Sequence, residues 1–189
     1  MDENKIKSIS LETMQAYLIK SMLDIKHFAP KEYCYSVMFN HWVHIECSEK
    51  IVDRVLRKLV YLLHPLLSMM EIVRSEFKSP VIITSGIRDL ELWNMLYGAG
   101  YHISPTTDHS FGLNYNPYGV GALDHFVVGV PAKEVYEYEK SKFDKEIGQL
   151  ILYKKSQFIH ISNNRSIVFS DKFKSNILKD HKKYIVWDY

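Results

Sequence analysis

Cysteine is scarce in this chain. Its 189 residues include only Cys34 and Cys47, which form no CxxC pair, so a cysteine-based zinc site is excluded. Two free thiols are the simpler reading, with a disulfide between them left open. Long apolar runs are also missing, and none approaches the ~20 residues of a membrane span. The start, "MDENKIKSIS", is polar and lacks the apolar stretch of a secretory signal. The expectation is a chain that is cytoplasmic as synthesised, without a membrane partner, any export taking another route. Neither sign of charge dominates. With 24 basic and 22 acidic residues, the net +2 makes no electrostatic case for nucleic acid. There are no repeats, low-complexity segments or obvious linkers.

What is present suits one compact domain. Hydrophobic residues make up 47% of the chain, enough for a sizeable core. The 13 tyrosines and 9 phenylalanines fit a core, an interface or a sugar-binding surface. Leu11, Met14, Leu18 and Met22 recur at helical spacing over 10–25, with Ser10 as cap. A short helix is expected near Lys31–Phe39. The longest helical pattern spans 48–77, with Ser48 as N-cap, and Pro65 should kink or break it.

The period then changes. "SPVIIT", 79–84, "ALDHFVV", 122–128, "GQLILY", 148–153, and "QFIHIS", 157–162, read as strands. Short helices are expected at 89–97, capped by Asp89, and at 132–142. "RSIVFS", 165–170, should fold back on "QFIHIS" as a hairpin through Asn163-Asn164. The expected class is α+β, with a central, mostly antiparallel sheet flanked by helices.

"TTDHSFGLNYNPYGVGALDHF", 106–126, carries two histidines, two aspartates and three glycines. It is either a metal-gripping loop or a turn-rich connection. On "QFIHIS" the alternation puts His160 on the face opposite Ile159 and Ile161. If the isoleucines face the core, His160 points into a cleft. His109, Asp124 and His160 would then form a normal three-ligand set for catalytic zinc. Most of the nine histidines are expected to bind nothing. His125 should face away from Asp124, and His41, His44, His64 and His181 show no partner spacing.

The order of motifs strengthens this set. "SPVIITSGIRDLEL" at 79–92, "DHSFG" at 108–112, "ALD" at 122–124, "FDKEIGQLIL" at 143–152 and "FIHIS" at 158–162 follow one another. "KHFAPKEY" and "VLRKLVYLLHPLLSMM" lie upstream. The series resembles the zinc D-Ala-D-Ala carboxypeptidases, related to hedgehog-type domains, over about residues 26–170. Residues 1–25 and 171–189 would be a helical extension and a C-terminal extension. The resemblance implies Zn2+ on His109, Asp124 and His160, with Arg88 near a substrate carboxylate or ordering the site. It implies hydrolysis of a peptidoglycan peptide, with zinc polarising the carbonyl and a carboxylate serving as general base.

The chain departs from the pattern at three places. Fourteen residues, 110–123, separate His109 from Asp124, more than the family has. Where the family carries its catalytic acid, this chain has Tyr153 and Gln157. Asp108 and Glu146 are substitutes by location only. Trp93 and Phe158 replace an asparagine and a tryptophan. Two readings follow: a zinc peptidase of cell-wall peptides, of phage or cellular origin, or a non-catalytic structural or assembly component, such as part of a virion, built on the peptidase fold. In the second, 1–25, 113–121 and 171–189 would meet protein partners or a second copy. Trp187 and Tyr189 would then be anchors, unless they form a terminal packing strand. A metal-free binding module is a third reading.

Overall fold

A computed structural model describes residues 6–101, 103, 107–113, 119–164 and 183–188. Its architecture is α+β. The central sheet joins β5 (Val81–Ser85), β6 (Ala122–Val127), β8 (Phe158–Asn163), β7 (Ile147–Tyr153) and β9 (Tyr184–Trp187), in that order. The first four pair antiparallel; β9 adds parallel to β7. Outside the sheet, β1 (Ile6–Ile9) pairs with β4 (Ile45–Ser48), and β2 (Tyr35–Ser36) with β3 (His41–Trp42). The helices are α1 (Leu11–Ser21), α2 (Pro30–Cys34), α3 (Val52–Phe77), α4 (Leu90–Gly98) and α5 (Ala132–Lys142).

Local chemistry explains the helix starts. Ser10 accepts the Thr13 amide at 3.2 Å, and Asp89 accepts the Leu92 amide at 2.7 Å, each taking up an amide that the first turn leaves unpaired. Ser48 does not cap α3; it precedes a 3-10 turn at Glu49–Ile51 and makes no side-chain cap bond. Pro65 does not end α3 either, which runs unbroken for 26 residues. Pro65 lies on the exposed side of the helix, where water can stand in for the amide hydrogen that proline lacks. Leu62, Leu63, Leu66 and Leu67, on both sides of it, are at most 1% exposed. Burying each contributes about 1.5–3 kcal/mol, which together outweighs the ~3 kcal/mol cost of an interior proline.

The sheet turns one face to this helix. Leu123, Leu150, Leu152, Ile159 and Ile161 are buried in one core with the leucines of α3. Asn163 fastens the two layers, donating to the Leu62 and Val120 carbonyls at 2.6 and 2.7 Å. The isoleucines beside His160 therefore face the core, and His160 points the other way.

The segment 165–170 lies outside the described residues, as do residues 1–5, 114–118, 165–182 and 189. Both edges of β8 are taken by β6 and β7, and the hairpin that β8 forms is with β7, through a turn in which Gln157 has φ 55°. The stretch 26–47, without a firm assignment from sequence beyond the short helix, supplies α2 and three short strands. Residues 6–21 are joined to it through β1 on β4 and through α1, which packs on α2 and α3. Cys34 and Cys47 are both buried free thiols.

Candidate metal centre

Three strands and one turn build the site. Asp124 on β6 lies directly across from His160 on β8, so both side chains leave the same face. His109 comes from a 3-10 turn at Asp108–Ser110, capped by Thr107, whose hydroxyl accepts the His109 amide. Phe111 and Gly112, at φ 49° and 66°, reverse the chain behind it. The Gly121 amide then bonds the Asp108 carbonyl at 3.0 Å. The ends of the long His-to-Asp connection are thus pinned side by side, and its extra length does not separate the two side chains.

The candidate ligand atoms form a small triangle. His109 Nε2 is 3.2 Å from Asp124 Oδ1 and 3.2 Å from His160 Nδ1; His160 Nδ1 is 2.8 Å from Asp124 Oδ1. Tetrahedral zinc with bonds of about 2.0–2.2 Å sets its ligand atoms roughly 3.3–3.6 Å apart. A shift of a few tenths of an ångström per side chain would fit the triangle to an ion. All three residues are buried.

The surrounding bonds leave the right lone pair on His109. His109 donates Nδ1–H to the Gly86 carbonyl at 2.7 Å, so its Nε2 lone pair faces Asp124. Burial first, then the Arg88 charge, push His109 down to about 4, against the opposing pull of Asp124, so the ring is neutral near pH 7. An unprotonated ring nitrogen and a carboxylate oxygen at 3.2 Å are two acceptors in contact, an arrangement that a cation relieves. Burial alone would raise Asp124, yet its polar neighbours, the Arg88 guanidinium among them, hold its carboxyl well below the ordinary carboxylate range. The donor set fits a divalent ion.

Arg88 acts on Asp124 itself. Its Nη2 donates to Asp124 Oδ2 at 2.8 Å, while Nε and Nη2 both donate to Ser85 Oγ, at 3.1 and 2.9 Å. A register shift between Ile83 and Ser85 puts Ser85 opposite Asp124. Gly86 is required sterically, because a Cβ there would meet the Tyr33 carbonyl at 2.5 Å. Taken from sequence alone, Ser85-Gly86 reads as a plain strand-ending turn. The glycine itself was visible, but its crowding against Tyr33 comes from a residue far away in the chain.

The remaining sequence candidates fall elsewhere. Asp108 is buried beside His109, but its carboxylate is not among the three converging ligand groups. Glu146 is exposed and precedes β7, five residues from Ile151, the partner of His160. Tyr153 stacks on Phe158 with centroids 4.2 Å apart and meets Trp187 edge-on at 5.0 Å. Burial first, then the Asp124 charge, push its phenol above the ordinary range, so it stays protonated. Trp187 thus sits on β9 against this aromatic row. On the opposite face, His125 Nε2 and Glu139 Oε1 form a fully buried pair at 2.7 Å. His64 pairs with Asp24 and His41 with Asp89, while His181 is outside the described residues.

No helix among the described residues is long and apolar enough to cross a membrane. No protein-family model matches this chain, and neither does any curated protein or solved structure.

Proposed function

We propose that the chain is a zinc-dependent hydrolase of peptide bonds, of the D-Ala-D-Ala carboxypeptidase type, with a peptidoglycan peptide as substrate. The observation that carries this reading is the buried triangle of His109 Nε2, Asp124 Oδ1 and His160 Nδ1, with sides of 2.8–3.2 Å. Those three residues would hold the ion, and zinc supplies Lewis acidity that polarises a carbonyl and lowers the pKa of water. Gly86 fixes the His109 tautomer, and Arg88 fixes the Asp124 carboxylate, leaving Oδ1 for the ion. Tyr153, held protonated, offers a hydrogen-bond donor beside the centre rather than a base.

A second reading, a non-catalytic assembly component on the same scaffold, draws support from Tyr153. A protonated phenol stands at the sequence position where the resemblance calls for a carboxylate. Incubation of the zinc-loaded protein with muropeptides and D-Ala-D-Ala peptides, followed by mass spectrometry, separates the two. The first reading expects cleavage that Asp124→Asn abolishes. Intact peptides beside a stoichiometrically loaded protein reject it in favour of the second.

A further inference from the structure

A second cluster of ligand-type side chains gathers around the residue after Arg88. Buried His41, on β3, places Nε2 at 2.9 and 3.1 Å from the two carboxylate oxygens of Asp89. Asp89 Oδ2 also accepts the His44 amide at 2.6 Å, and Oδ1 accepts the Leu92 amide at 2.7 Å. One carboxylate thus ties β3, the chain that follows it and the first turn of α4 to a single point. Glu91 lies in that first turn. One ring nitrogen from each of His41 and His44 and one carboxylate oxygen of Glu91 lie within 4.8 Å of one another. The two rings are 5.5 Å apart, inclined at 61°. His44 and Glu91 are exposed and border a cavity of about 430 Å³, whose lining also includes Lys58, Asn94 and Leu113.

We propose that His41, His44 and Glu91 form a second metal site, for a divalent transition ion such as zinc. Two imidazoles and one carboxylate suit that class of ion better than calcium or magnesium, which take oxygen ligands. Asp89 prepares the site in the way that carboxylates behind metal-bound histidines do. It accepts Nε2–H of His41, which leaves the ring's lone pair on Nδ1. His41 is the fixed ligand. His44 and Glu91, being exposed, have room to close the remaining gap to the roughly 3.3 Å ligand spacing of a tetrahedral ion. The cavity gives water or a small donor ligand access to the remaining coordination position. The site does not share a ligand with His109, Asp124 or His160.

The test is a count of bound ions on the full chain. Zinc is measured by equilibrium dialysis with elemental analysis, and cobalt by its visible absorption, for wild type, His44→Ala and Glu91→Gln. Both substitutions are at exposed side chains, and circular dichroism checks the fold. Each variant is expected to hold one ion fewer per chain than wild type at matched free zinc, or to bind that ion at least tenfold more weakly. His109→Ala is expected to leave this site filled. The proposal is overturned if His44→Ala and wild type bind the same number of ions with the same affinity, which would make the cluster a plain His41–Asp89 pair with solvated neighbours. The comparison reads this site alone, whether or not the His109 centre takes up metal.

Discussion

Replacing Arg88 by methionine tests how the site is held. Arg88 is 9% exposed and Asp124 is 8% exposed. Methionine keeps much of the volume and removes three donated bonds, two to Ser85 and one to Asp124. Asp124 Oδ2 then loses its cationic partner in a site where burial already opposes the charge. Removing one member of a buried ion pair costs about 3–5 kcal/mol. At ~2–4 °C per kcal/mol for a chain of this size, melting should fall by on the order of 10 °C. The assay is thermal unfolding in a chelator, so that no ion masks the effect. Zinc affinity, measured by competition with a chromophoric chelator, should weaken ~10–100-fold through loss of the carboxylate's orientation. A variant that melts within ~2 °C of wild type and binds zinc equally well would refute the reasoning.

Three further outcomes follow from the same geometry. His109 has a folded-state pKa of about 4 against an ordinary 6.5. The unfolded chain therefore binds the proton first, and stability falls as pH drops from 6.5 towards 4, by about 3 kcal/mol. Urea unfolding in chelator at pH 7 and pH 4.5 should show this slope, with His109→Gln flatter; equal slopes would contradict it. Gly86→Ala drives a Cβ to 2.5 Å from the Tyr33 carbonyl and displaces the carbonyl that accepts His109 Nδ1–H, so both stability and zinc affinity should fall. Calorimetry and zinc titration of that variant check it, and an unchanged zinc affinity would show that Gly86 does not orient His109. Leu63→Ala empties a fully buried position in α3 and should cost about 2–5 kcal/mol in chemical unfolding, with a smaller loss meaning that the core collapses around the gap.

Patterns that depend on neighbours in the chain were legible in the sequence. The caps at Ser10 and Asp89, the strand alternation around His160 and the apolar stripe of α3 are local, and the structure has them. That alternation set His160 on the face opposite Ile159 and Ile161, whereas its grouping with His109 and Asp124 rested mainly on the order of motifs in the family resemblance. Contacts between distant segments were not legible. Pro65 stays inside α3 because leucines on both sides are packed by the sheet, an influence that local propensity does not contain. The His41–Asp89 bond joins residues 48 apart in sequence, and β9 reaches β7 from the far end of the chain. No periodicity announces either. Gly86 and Ser85 look like a turn until Tyr33, Arg88 and His109 are placed around them.

Crystals soaked in zinc, with diffraction recorded at the zinc absorption edge, test the central claim most directly. An anomalous peak is expected within about 2.0–2.2 Å of His109 Nε2, Asp124 Oδ1 and His160 Nδ1 together. Soaked crystals with no peak between those three atoms, or with the three side chains turned apart, would contradict it.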